Sequence, residues 1–172
     1  MTQVRSICVY CGSRPGASPE FVAQAKVLGH AMVEAGITLV FGAGSIGIMG
    51  AVADAVLEAG GEAIGVIPRG LHRAEITHPN LTELYMVETM HERKAKMIEL
   101  SDAFVAAPGG FGTLEELFEV LTWGQLGIHA KPIGLYNTEG YWNPLLRMLD
   151  HCLEQRFIDP FQRELVLEAE PP

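Results

Sequence analysis

The chain has 172 residues, 48% hydrophobic and 19% charged, with a net charge of −9 at pH 7. This length predicts a single domain with a sizeable core, and the acidic balance argues against a polymeric nucleic acid as partner, since the only basic cluster is Arg93, Lys94 and Lys96. No run reaches the ~18 apolar residues of a membrane span, the apolar stretch 4–10 is too short for a signal peptide, and an odd cysteine count fits a reducing, cytoplasmic setting.

Short β-branched runs alternate with longer amphipathic stretches. This predicts a Rossmann-like α/β domain, a mostly parallel sheet with helices on both faces. Residues 4–10 form a first strand, ended by Cys11-Gly12-Ser13. Residues 19–35 read as a helix, with Ser18 as N-cap, Pro19 in its first turn and Gly36 as its stop. A strand at 37–41, a glycine loop at 42–47, a helix at 48–59 and a strand at 63–67 follow. Residues 69–80 carry no period and read as a loop. Further on come strands at 84–87, 103–107 and 132–136, helices at 90–100, 113–126 and 142–155, and an edge strand or partner clasp at 164–167. In open α/β sheets ligands sit beyond the carboxyl ends of the strands. The glycine loops 11–16, 42–47 and 108–112 should therefore converge on one crevice if their strands are neighbours.

The most informative stretch is Pro108-Gly109-Gly110-Phe111-Gly112-Thr113-Leu114-Glu115-Glu116, directly after an apolar strand. Glycines strip side chains from the turn, so backbone N–H groups can close around an anion. The helix that follows points its positive dipole end at the same spot. The pattern suits a phosphorylated small molecule with an acid or base beside it. Glu115 and Glu116 also complement the helix dipole, and adjacent helical residues point about 100° apart, so at most one can aim squarely into the crevice.

Other motifs carry less. Gly42-Ala43-Gly44-Ser45-Ile46-Gly47 matches G-x-G-x-x-G but follows the second strand, and the next strand lacks the acidic residue of a dinucleotide site. A tight turn or a second wall of a mononucleotide site accounts for it. Cys8 and Cys11 have redox spacing, yet an odd offset on a strand sends them to opposite faces, so they read as core residues. In Met90-His91-Glu92-Arg93-Lys94, Arg93 shares a helix face with Met97 at i+4, which a solvated arginine does not need. No G-x-S-x-G elbow or histidine triad spacing is present.

Together these motifs resemble the Lonely guy (LOG) family of cytokinin riboside 5′-monophosphate phosphoribohydrolases. Residues 108–116 fit that family's P-G-G-x-G-T-x-x-E, and residues 90–94 fit its M-H-x-R-K. Ile48-Met49-Gly50 after the glycine loop and Thr122-Trp123-Gly124-Gln125-Leu126-Gly127-Ile128-His129 agree as well. The family's second loop reads Tyr-Gly-Gly-Gly, whereas here it is Phe41-Gly42-Ala43-Gly44, and an alanine adopts positive φ only at a cost.

The resemblance implies hydrolysis of the N-glycosidic bond of an adenosine-type 5′-monophosphate to free base and ribose 5-phosphate. It implies catalytic roles for Arg93 and Glu116. It also implies substrate contacts from Glu75, Arg93, Lys94, Gly110, Phe111, Gly112, Thr113, Leu114, Glu115, Glu116 and Thr122. A homodimer, with no metal and no cofactor, is implied too. Arg93 could serve the phosphate, the sugar or the catalytic carboxylate. Two rival readings are a non-catalytic nucleotide carrier on the same fold and a pyridoxal-dependent lysine decarboxylase. The latter needs a Schiff-base lysine, and none of Lys26, Lys94, Lys96 and Lys131 sits in a cofactor motif.

Overall fold

The computed structural model describes residues 3–72 and 76–169. Seven strands form one sheet: β1 (Ser6–Tyr10), β2 (Thr38–Phe41), β3 (Ala63–Pro68), β4 (Glu83–Val87), β5 (Ala103–Ala106), β6 (Ile133–Tyr136) and β7 (Val166–Ala169). Their order is β4-β3-β2-β1-β5-β6-β7, and every neighbouring pair is parallel. The expected "mostly parallel" sheet is thus parallel at every strand pair.

Among the described residues six α-helices connect and cover the strands: α1 (Pro19–Glu34), α2 (Gly47–Glu58), α3 (Met90–Glu99), α4 (Phe111–Gln125), α5 (Asn143–Glu154) and α6 (Pro160–Glu164). Strand alternation splits the core in two, since successive side chains leave a strand on opposite faces. Cys8 and Tyr10 pack with Met97, Leu117 and Leu146, under α3, α4 and α5. Val9 and Cys11 pack with Ala25, Met32 and Val52, under α1 and α2. Both cysteines are buried free thiols on opposite faces, as their odd spacing requires. Where α1 crosses α2, Gly29 has no room for a side chain, because a Cβ there would lie 2.9 Å from both Ala55 Cβ and Val52 O.

The chain runs outward from β1 through β2 and β3 to β4. It then returns along α3, over the other face, to place β5 against β1. The connections leaving β1 and β5 therefore diverge, and a crevice opens between them at the carboxyl ends. This is the switch point at which doubly wound sheets bind ligands. No helix among the described residues is long and apolar enough to cross a membrane.

The short α6 escaped the sequence reading, although its signal is a complete capping box. Asp159 accepts from the Gln162 N–H, and the Gln162 side chain accepts from the Asp159 N–H. Helix α4 begins at Phe111, two residues before the expected 113.

Candidate active site

The crevice is a cavity of about 650 Å³. All three glycine loops wall it, through Gly12, Ser13, Arg14 and Gly16, through Gly42, and through residues 108–113. Backbone bonds tie the first loop to the third and to the first turn of α2: the Gly12 N–H donates to Pro108 O (3.0 Å), and the Met49 N–H donates to Gly12 O (3.1 Å).

The turn from β5 into α4 supplies the electropositive end. Ser18, Thr89 and Asp159 cap α1, α3 and α6 with side-chain oxygens, whereas the N-cap of α4 is Gly110, which has no side chain to offer. The first amides of a helix have no partner inside the helix, so those of α4 face the cavity with the dipole behind them. Gly110, Phe111, Gly112 and Thr113 all line it. A Cβ at Gly110 or Gly112 would meet nothing within 4 Å. Neither glycine has a positive φ, so their use is space: a side chain would stand where a ligand must approach the backbone. Gly109 differs, since a Cβ there would collide with Thr113 Oγ1.

Helix α3 supplies the cation. The Thr89 hydroxyl accepts from the Glu92 N–H (3.1 Å) and starts the helix so that Arg93 falls in its first turn. Arg93 Nε donates to Val66 O (3.0 Å) within β3, and Nη2 donates to Gly42 O (2.8 Å) beyond β2. Any side chain at position 42 would overlap this guanidinium. The second glycine loop is therefore a wall shaped around Arg93. In it Ala43 does adopt positive φ (65°), fully buried. The conformation is held by pairing with the segment that follows residue 75: the His78 N–H donates to Ala43 O (2.8 Å), and the Ser45 N–H donates to Ile76 O (2.8 Å). Left-handed backbone at a non-glycine residue costs roughly 1–2 kcal/mol, which these bonds offset.

The two adjacent charged pairs each divide their labour. On α4, Glu116 lines the cavity and Glu115 does not. On α3, Arg93 lines it and Lys94 does not. Lys94 instead is buried and donates to Glu115 Oε1 (2.5 Å) and Glu119 Oε2 (2.6 Å). These bonds to Glu115 and Glu119 raise the Lys94 pKa despite its burial. Leu114 packs against the core under α4. Thr122 lies further along α4, beside Phe118 and Leu149 and away from the cavity lining. Glu75 lies outside the described residues. The structure adds Arg14, Phe21, Met49 and Tyr141 to the cavity wall. Residues 11–16 were legible as a loop of the crevice, but no spacing pattern marks Tyr141.

This set permits some chemistry and excludes other kinds. Burial pushes the Glu116 carboxyl from 4.5 up to about 7; the Arg93 charge opposes that rise, and Glu115 adds to it. Burial, and secondarily the Glu116 charge, raise the pKa of the Cys11 thiol, so it is no nucleophile. Ser13 lines the cavity without a histidine. No lysine lines it: Lys94 is held as above, Lys96 pairs with Glu99, Lys131 donates to Ile98 O, and Lys26 lies on α1. A Schiff base has no candidate here. Among the described residues, no group of three or more His, Cys, Asp or Glu is placed to hold a metal ion. What remains is the Glu116 carboxyl with its raised pKa, the tethered Arg93 guanidinium and the first residues of α4.

The chain is similar in sequence and in fold to known proteins. Residues 49–172 match the family described as "Possible lysine decarboxylase". The chain is 49% identical to the cytokinin riboside 5′-monophosphate phosphoribohydrolase LOG3 of Arabidopsis thaliana, over 98% of this chain and 78% of that protein. It is 48% identical to the enzyme LOG of Oryza sativa subsp. japonica, over 98% and 69%. Among solved structures, the molybdenum cofactor binding protein of Rippkaea orientalis superposes with a TM-score of 0.71 at 22% identity, covering 100% of this chain and 93% of that one. The molybdenum cofactor carrier protein of Chlamydomonas reinhardtii gives 0.72 at 22%, covering 97% and 90%. At that identity the structural likeness shows the fold.

The raised Glu116 pKa has a measurable consequence in the ligand-free protein. The folded state holds this proton more tightly than the unfolded state, so the stability it contributes is complete below about pH 4.5 and is lost as pH rises through about 7. At about 1.4 kcal/mol per pH unit, the full loss is on the order of 3 kcal/mol. Urea unfolding of the wild type and Glu116→Gln across this range should show the wild type falling relative to the variant. Parallel curves would contradict the assignment.

Proposed function

We propose that this chain, which belongs to the Lonely guy (LOG) family of cytokinin riboside 5′-monophosphate phosphoribohydrolases, hydrolyses the N-glycosidic bond of an adenosine-type 5′-monophosphate. The products are the free base, adenine or an N6-modified adenine, and ribose 5-phosphate. The observation that carries this reading is the placement of Glu116 in the same cavity as the uncapped start of α4.

The 5′-phosphate sits on the amides at residues 110–113, where dipole and geometry favour an anion. The ribose then lies within one helical turn, beside Glu116. Cleavage of the C–N bond leaves positive charge on the sugar, which the carboxylate stabilises while it orients and deprotonates water. Of the three roles open to Arg93, the reading favours support of Glu116. Two of its nitrogens are tied to main-chain oxygens, and its charge keeps the carboxyl partly ionised near neutrality. A non-catalytic carrier would gain nothing from a half-buried carboxylate facing an anionic ligand.

The activity predicts that incubation with AMP yields adenine, read by chromatography. Glu116→Gln should lower kcat by ~10²–10⁴-fold. Adenosine should be a poor substrate, because the remote phosphate grip supplies binding energy for positioning. Comparable turnover of adenosine and AMP would remove the phosphate from the mechanism.

Two copies of the chain pair as a homodimer. Phe111 lines the cavity yet is 93% exposed, and Phe118, one heptad further along α4, is 42% exposed. A second copy seated on this face would cover both rings, meet Thr122 and close the base end of the cavity. Sedimentation should show a dimer for the wild type and a monomer with raised KM for Phe118→Glu. A wild-type monomer with full activity would refute the dimer.

A further inference from the structure

The geometry points to Tyr141 as a positioning residue that sets the phosphate-binding turn, an inference resting on the reading above. Tyr141 lies just before α5 and lines the cavity, and its hydroxyl donates to Gly109 O at 2.5 Å. A carbonyl left bare at this turn would present negative charge to an incoming phosphate. The hydroxyl covers that oxygen. Because the peptide joining Gly109 and Gly110 is trans and planar, fixing its C=O toward Tyr141 also fixes the Gly110 N–H on the opposite side. One hydrogen bond thus sets the polarity of the first peptide of the cradle.

The protein holds Tyr141 in place at some conformational cost. The turn between β6 and α5 has two successive residues at positive φ, Glu139 (51°) and Gly140 (69°). A non-glycine residue in that region is strained, and such strain persists only where its surroundings enforce it. Here the enforcement is visible. Asn137 Oδ1 accepts from the Trp142 N–H (2.7 Å), and the buried Trp142 donates Nε1–H to Ala106 O (3.1 Å) at the end of β5. The Tyr141 ring stands edge-on to both Trp142 (5.0 Å) and Phe21 (5.8 Å). Consecutive aromatic residues therefore pin both sides of the same turn, Trp142 at Ala106 and Tyr141 at Gly109. Since the Tyr141 hydroxyl hydrogen is spent on Gly109, its role is exerted through the backbone.

Tyr141→Phe removes the hydroxyl and keeps the ring contacts, so the fold should persist with an unchanged circular dichroism spectrum. The test is calorimetric titration of the wild type and Tyr141→Phe with ribose 5-phosphate and with ribose, alongside steady-state kinetics on AMP and adenosine. The expected result is a loss of about tenfold in ribose 5-phosphate affinity, a similar rise in KM for AMP with little change in kcat, and no change toward adenosine. Equal ribose 5-phosphate affinity in the two proteins would overturn the inference, as would equal losses toward AMP and adenosine. A wild type that binds ribose 5-phosphate but leaves AMP intact would sink the enzymatic reading alone, with the affinity ratio still deciding Tyr141. Absence of ribose 5-phosphate binding to the wild type would overturn both.

Discussion

Lys94 leaves α3 toward α4 and ends between Glu115 and Glu119, one helical turn apart. Burying an ammonium costs several kcal/mol unless it is paired, and here two carboxylates share the compensation. The clamp does more than hold two helices together. Arg93 and Lys94 are neighbours in sequence, as are Glu115 and Glu116, and on a helix neighbours diverge by about 100°. Fixing Lys94 on Glu115 therefore leaves Arg93 and Glu116 to line the crevice. The outer pair of charges sets the geometry of the inner pair.

That inner pair matters because of where the sheet reverses. Strand β1 lies between β2 and β5, and the connections beyond it run to opposite faces, so the space above their carboxyl ends stays open. Into it come an uncapped helix start from one side and a tethered guanidinium from the other. The Glu116 carboxyl lines the same cavity, where burial raises its pKa to about 7 and the Arg93 charge restrains the rise. A group poised near neutrality can both stabilise a developing cation and exchange a proton with water. The chain's net charge of −9 is no obstacle to binding an anion, because the local dipoles at α4 act at contact range.

Much of this was legible in the sequence. The alternation of β-branched runs and amphipathic stretches marks the strands and the longer helices. The 108–116 nonapeptide identifies the turn where Gly110, Gly112 and Thr113 meet the cavity, and helical geometry already allowed only one of Glu115 and Glu116 to enter it. Strand order was not legible, since adjacency of β1 and β5 depends on α3 crossing the sheet. The partner of Lys94 was hidden for the same reason: Glu115 and Glu119 are distant in sequence and meet it only through packing. Gly42 looked like a turn residue, and its physical use emerges only from the guanidinium that would collide with a side chain there. Tyr141 carries no periodic signal, because its place at the cavity follows a turn with positive φ at Glu139 and Gly140. Thr122 fits the family motif, yet on this chain it faces outward along α4, away from the cavity lining.

The central claim is that main-chain amides at the start of α4 hold a nucleotide's phosphate and thereby bring its glycosidic carbon to residue 116. A crystal structure of the Glu116→Gln protein soaked with AMP tests it most directly. The account requires phosphate oxygens within hydrogen-bond reach of the amides at residues 110–113, with the residue 116 side chain beside the ribose C1′. An anion bound elsewhere, or a residue 116 side chain turned away from the sugar, would contradict it.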